Sequence, residues 1–286
     1  MKQKVIPNTF IIGAQKSGTS FLAAMLSQHK DVCVSEPKEP HFFSIEFEKG
    51  WDFYNSYFSN PDAKIILDAS TTYSFLKHRD RRGDIHAPGL NAPVPKRIYD
   101  TNPESKFIYI LRDPVERLKS AYLHKMRKHR LDGKEISLIK CIEEDPMLVL
   151  ASRYTDQIDM YTDYFEFRKF KFLSFKDLIA NPTGTLEEVC SFIDIEMQEI
   201  SLEKAKKFKN EAAQKTEIMK KIDMFAYRNP AIKNFIKSRL SSESVATIRR
   251  KFGTRPVSVK FYDEEAVAEL FLEEKARIQE MTGLEL

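Results

Sequence analysis

Eight residues near the start of the chain, Gly13-Ala-Gln15-Lys16-Ser17-Gly18-Thr19-Ser20, carry the first readable chemistry. Gly13 and Gly18 have the spacing of the GxxxxGK[ST] phosphate loop. Such a loop turns successive backbone N–H groups inward, and the helix that follows adds its positive end, so the product is an anion cradle. Glycine is needed where backbone must approach phosphate and a Cβ would intrude. A triphosphatase has lysine after the second glycine, reaching the β- and γ-phosphates. Thr19 stands there instead, and Lys16 lies inside the loop. A lysine so placed sits beside the first phosphate, where a group to be transferred joins it. That suits a nucleotide whose 5′-phosphate carries one further group, without a magnesium-bound triphosphate. On this segment alone, a glycine turn with an incidental lysine and a degenerate triphosphatase loop both stay open.

A second constellation is Leu111-Arg112-Asp113-Pro114-Val115-Glu116-Arg117, followed by Leu118-Lys119-Ser120. Asp113 reads as a helix N-cap, Pro114 as the first helical residue and Glu116 as the capping-box partner. Arg112 then sits at the carboxyl end of a strand, and Ser120, eight residues on, can face the same side. An arginine fork and a hydroxyl at a strand end make a second phosphate site, because guanidinium matches phosphate oxygens bidentately. The competing reading is a surface arginine paired with Glu116.

The elements that must position these groups alternate. Apolar, β-rich runs at Thr9–Ile12, Lys64–Leu67, Lys106–Leu111 and Lys169–Phe175 are separated by stretches of helical period, including 155–167 and 183–193. That order predicts an α/β, P-loop-type three-layer fold: a central parallel sheet flanked by helices. Residues 77–97 read as a long loop or short helix, 201–260 as basic peripheral helices and loops, and Asp263 onward as one or two closing helices. The expectation is one domain over 1–286, with a cofactor-binding core at about 8–195 and a helical, substrate-covering part at about 196–286.

Taken together, the two phosphate segments, in order and about 95 residues apart, resemble the PAPS-dependent sulfotransferase superfamily, PAPS being 3′-phosphoadenosine 5′-phosphosulfate. GAQKSGTSFL is similar to its 5′-phosphosulfate loop and YILRDPVERLKSAY to its 3′-phosphate motif. The nearer branch is that of the heparan sulfate sulfotransferases and bacterial relatives, rather than the cytosolic phenol and steroid enzymes. Glu36-Pro-Lys38-Glu39-Pro-His41-Phe42-Phe43 looks like its acidic-His-Phe-Phe segment, and Leu67-Asp68-Ala69-Ser70-Thr-Thr-Tyr73 like the motif after its second strand. Ser152–Phe165, with the block FLSFKDLIANPTGTLEEVCSFI, matches its later strand and helix.

The resemblance implies that Gln15, Lys16, Ser17, Gly18, Thr19 and Ser20 hold the 5′-phosphosulfate, and that Arg112 and Ser120 hold the 3′-phosphate. It gives Glu39 the role of general base and His41 that of a neighbour assisting base or substrate. Two departures separate the chain from the heparan enzymes: Ala69 replaces a lysine they often carry, and the cysteine pair framing a late loop is missing. No cofactor-covering loop is recognisable near the C-terminus, where Lys251, Arg255 and Lys260 are basic candidates.

Sulfuryl transfer is an in-line displacement at sulfur, with charge building on the leaving phosphate oxygen. Lys16 is placed to stabilise that charge. An alcohol acceptor needs a base during attack. Glu39 fits if burial beside Phe42 and Phe43 raises its pKa, and His41 competes because it titrates near neutrality. Asp68 reads as orienting a loop or the acceptor, and Tyr73 as pocket wall or core. The alternatives are a P-loop kinase or NTPase, a non-catalytic nucleotide-binding protein of the same fold, and an anion- or carbohydrate-binding module.

Bulk properties agree. The 286 residues are 42% hydrophobic and 31% charged, enough for a core and a soluble surface. A net charge of +4 is compatible with an anionic ligand but falls short of the clustered excess of a nucleic-acid binder. Cys33, Cys141 and Cys190 form no metal or disulfide pattern, so no metal is expected. No apolar run reaches transmembrane length, and the phosphate loop begins too early for a signal peptide, which gives a cytoplasmic expectation without membrane insertion. The expected partners are the nucleotide donor and an acceptor, whether saccharide, lipid, small alcohol or carrier-bound group. Oligomeric state is not readable.

Overall fold

Five strands make the central sheet: β1 (Thr9–Gly13), β2 (Val32–Val34), β3 (Ile65–Asp68), β4 (Lys106–Leu111) and β5 (Phe170–Ser174). Their order is β2-β3-β1-β4-β5, and every neighbouring pair is parallel. The structure, a computed structural model, describes residues 4–75, 94–126, 131, 133–205 and 258–286, with backbone alone at 78–79, 85–86, 206, 213–215 and 254–256.

The near-continuous apolar runs are those of strands covered on both faces. Alternation along β1 and β4 assigns each face. Phe10, Ile12, Phe107, Tyr109 and Leu111 point into one core with Tyr154, Ile158 and Tyr161, whereas Ile11, Ile108 and Ile110 point into another with Leu22, Met25, Leu178 and Val189. The helices over the second face are α1 (Thr19–Leu26), α8 (Phe175–Ala180) and α9 (Pro182–Phe192); α7 (Tyr154–Thr162) lies over the first. The expected three layers are therefore present.

In chain order the others are α2 (Gly50–Asn55), α3 (Val94–Thr101), α4 (Pro114–Lys125), α5 (Leu138–Glu144), α6 (Met147–Leu150), α10 (Leu202–Lys206), α11 (Glu264–Glu269) and α12 (Leu272–Thr282). Asp113 caps α4 as expected, its carboxylate accepting from Glu116 N at 3.0 Å. Glu116 does not complete a capping box. Its carboxylate pairs instead with Lys119 at 2.6 Å and Arg112 at 3.4 Å.

The expected closing helices are two, α11 and α12. They pack on α4 and α7, where Lys119 pairs with Glu264, Lys275 with Asp113, and Glu274 accepts from Thr155 N and Oγ1. The expected helix at 155–167 stops at Thr162, and Phe167–Lys169 forms a 3-10 turn before β5. Two features were not foreseen: β2, which is only three residues long, and a parallel ladder joining Lys134–Ser137 to Val259–Tyr262. Of the loop at 77–97, Val94 onward belongs to α3. Most of 201–260 lies outside the described residues, Lys251 included.

Candidate active site

β1 is the middle strand, and the chain crosses to opposite sides of it on reaching β3 and β4. Ligands of open parallel sheets bind at the carboxyl ends of strands at such a switch point. There, a cleft of about 420 Å³ opens between the loop after β1, the segment after β2 and the start of α4. Gln15, Lys16, Gly18, Thr19 and Ser20 line it, and so do Glu39, Arg112 and Ser120.

The two phosphate motifs touch directly. Arg112 NH1 donates to the Lys16 carbonyl at 3.1 Å, while its guanidinium rests 4.7 Å from the centre of the Phe175 ring. The sequence alone allows Arg112 either to serve phosphate or to pair with Glu116. It does pair with Glu116, but at the cleft wall and in contact with the loop. Thr19 and Ser20 supply the first two N–H groups of α1, which have no intrahelical partner. Ser17 behaves differently: it is fully buried, its N–H donates to the Ala14 carbonyl, and its hydroxyl finds no partner, so its side chain does not line the cleft.

Glu39 and His41 come from the loop after β2. Glu39 Oε1 accepts from Lys38 Nζ at 2.7 Å and Thr71 Oγ1 at 3.1 Å, and Oε2 lies 3.8 Å from His41 Nε2. His41 Nδ1 is 2.9 Å from Thr72 Oγ1. The expectation of a raised Glu39 pKa is corrected here. Burial does push it up, but the Lys38 charge and hydrogen bond, with His41 and Thr71, outweigh burial and hold the carboxyl below its usual range. Burial lowers His41, with partial opposition from Glu39.

Backbone strain marks the same residues. Among the described non-glycine residues, positive φ occurs at Lys16 (73°), Glu39 (67°), His41 (53°), Asp194 and Asp263. Aspartate and histidine tolerate this region; lysine and glutamate enter it at a cost of about 1–3 kcal/mol each. The surroundings enforce it. His41 N donates to Ser70 Oγ at 3.1 Å, which donates to Asp68 Oδ1 at 2.7 Å. Phe43 N donates to Tyr73 OH at 3.3 Å, which donates to Asp68 Oδ2 at 2.6 Å. A third hydroxyl, Tyr54 OH, donates to Asp68 Oδ2 at 2.9 Å. Asp68 therefore orients the loop, one of its two expected roles, and Tyr73 belongs to the core as well as to this relay.

A donor set of two lysines, one arginine, four hydroxyls and a helix start, with an apolar wall of Phe175, Ile179 and Pro182, has the chemistry of a nucleotide anion site. A family model described as a sulfotransferase domain matches residues 7–253. The chain belongs to the sulfotransferase domain family.

Among relatives of this sulfotransferase domain, heparan sulfate glucosamine 3-O-sulfotransferase 3B1 of Homo sapiens is 28% identical over 200 residues, 67% of this chain and 47% of that protein. Heparan sulfate glucosamine 3-O-sulfotransferase 6 of Homo sapiens is 26% identical over 195 residues, 66% of this chain and 52% of that one. The chain spans about half the length of these curated relatives. The crystal structure of a sulfotransferase from Alicyclobacillus acidocaldarius superposes with a TM-score of 0.54 at 26% identity, over 69% of this chain and 87% of its own.

Sequence reasoning missed Lys38, Thr71, His124 and the wall residues. His124 follows Ser120 by four, on the helix face that continues from Glu116, and that spacing was available as a signal. Lys38 enters the sequence comparison as part of the segment Glu36–Phe43 and carries no role there. Of the C-terminal candidates, Lys260 is 84% exposed and faces Glu135 at 4.0 Å, away from the cleft lining. For Arg255 only the backbone strand is described. None of 258–286 lines the cleft. No helix among the described residues is long and apolar enough to cross a membrane.

Proposed function

We propose that this domain transfers a sulfuryl group from PAPS to a hydroxyl, with an amine as second choice, and releases adenosine 3′,5′-bisphosphate. The observation that carries the reading is the contact of Arg112 with the Lys16 loop in a cleft that also holds Glu39. A 5′-anion cradle and a 3′-phosphate fork share one wall, and a carboxylate faces them. Bound there, PAPS would supply an activated sulfur with a phosphate leaving group.

In this reading the N–H groups and hydroxyls of Thr19 and Ser20 bind the 5′ end, and Lys16 stabilises charge on the leaving oxygen. Arg112 and Ser120 fix the 3′-phosphate, with His124 beside them. Phe175, Ile179 and Pro182 offer an apolar surface for the base. Glu39 takes the acceptor's proton, and Thr71 holds its carboxylate in place. His41, fixed by Thr72, assists from 3.8 Å. No step in this scheme calls on a metal ion.

The relatives support a class of acceptor, since their names specify glucosamine 3-O-sulfation of heparan sulfate. A saccharide hydroxyl is the first candidate for this chain, ahead of a lipid, small alcohol or carrier-bound group. Ala69 and the missing cysteine pair speak against the heparan polymer itself. Incubation with 35S-labelled PAPS and panels of these four classes tests the reading. Label should move to a saccharide in the wild type and fall by at least about 10²-fold in Glu39→Gln with bisphosphate affinity kept. Full transfer by Glu39→Gln would move the base role elsewhere.

A further inference from the structure

Lys38 stands between the two halves of the cleft. Its Nζ is 2.7 Å from Glu39 Oε1 and 3.4 Å from Thr19 Oγ1, the first residue of the helix that forms the anion cradle. Its side chain is half-buried at the cleft wall. Glu39 does not depend on it for position, because Thr71 Oγ1 binds the same oxygen and His41 flanks the other.

We propose that Lys38 is a shared active-site cation: it pairs with Glu39 while the cradle holds no anion, and turns to the donor's terminal anionic group once that group sits at the start of α1. The move is short, since Nζ already approaches Thr19. Its consequence is that Glu39 loses its nearest counter-charge only when the donor is in place. The carboxylate then becomes more basic at the moment a proton must be taken, and stays quenched by its ion pair otherwise. A lysine, a compact charge on a flexible stem, suits such a role better than an arginine fork.

The inference rests on the reading of the cleft as a PAPS site. The charged and titratable groups acting on Glu39 are Lys38 and His41 from its own loop, and Lys16, Arg112 and His124 line the same cleft. Asp68, behind the loop, also lies in the field of Lys38.

The test is a 13C carboxyl NMR titration of glutamate-labelled protein, with the Glu39 signal assigned by Glu39→Gln, with and without PAPS and no acceptor. In the wild type the Glu39 titration should move up by about one pH unit when PAPS is added, the scale on which a neighbouring opposite charge acts. In Lys38→Met it should start at the higher value and respond to PAPS less than the wild type does, through the donor's own charge alone; an equal response would overturn the role, and Lys38→Arg should fall between the two. If calorimetry shows that PAPS binds while the wild-type Glu39 titration stays fixed, the shared-cation role is wrong and the donor assignment stands. If PAPS does not bind, the donor assignment itself fails. A wild-type titration that stays fixed on PAPS binding refutes the role even where a variant does not fold.

Discussion

Asp68 holds a carboxylate in a fully buried position, and burial raises it to about 6 although Tyr73, Ser70 and Tyr54 all donate to it. Two of those hydroxyls pass the hold on to the backbone of His41 and Phe43, which keeps the strained loop in shape. The linkage has a definite sign. A carboxyl whose folded pKa exceeds its unfolded value near 3.8 favours the fold when protonated, so its contribution is present below about pH 4 and lost as pH rises towards 6. Asp68→Asn removes that titration. The unfolding free energy of the variant relative to wild type should therefore improve between pH 4 and 7, by on the order of 3 kcal/mol, in urea titrations across pH. A difference independent of pH would show that Asp68 titrates as it does in water. None of this relay was legible in the sequence, because Tyr54, Ser70 and Tyr73 have no spacing that announces a shared partner. What was legible was the residue types that do chemistry: Lys16, Glu39 and His41, each held at positive φ in the fold.

At the scale of elements, the loop-to-helix turn at Gly18 places the cradle. Gly18 has φ +86°, and a Cβ there would lie 2.9 Å from Leu178 Cδ2 and 3.2 Å from Phe175 Cδ2. Gly18→Ala should thus cost about 1–3 kcal/mol from its backbone conformation, read as a lowered denaturation midpoint. Donor affinity should fall in parallel, because Phe175 also supports Arg112. An unchanged midpoint would mean that the turn relaxes freely. Strands β1, β3, β4 and β5 were readable because buried parallel strands are apolar on both faces. The Lys134–Ser137 ladder was not: its partner is more than a hundred residues away, and although Val259–Tyr262 alternates, Lys134–Ser137 offers a single apolar residue, Ile136. The helix end at Thr162 was blurred for a similar reason, since Tyr164, Phe165 and Phe167 continue an apolar pattern that packing assigns to a turn.

For the whole molecule, the sheet order brings together residues from three separate stretches, around positions 16, 39 and 112, at the carboxyl end of the middle strand. The sequence showed each motif and their order, but not the contact of Arg112 with Lys16, which follows from β1 and β4 lying side by side. The stretch around position 39 brings Lys38 with it, a residue that no phosphate motif includes. The C-terminal helices brace α4 from outside the cleft, so the described part of the C-terminal region supports the site without covering it. The proposed function requires the cleft to take a nucleotide with a 3′-phosphate and no metal-bound triphosphate. Isothermal calorimetry with adenosine 3′,5′-bisphosphate and with Mg·ATP tests it most directly. Tight binding of the bisphosphate, unchanged by EDTA and stronger than that of Mg·ATP by at least about tenfold, is the expected result. A preference for Mg·ATP, or no binding of the bisphosphate, would contradict the account.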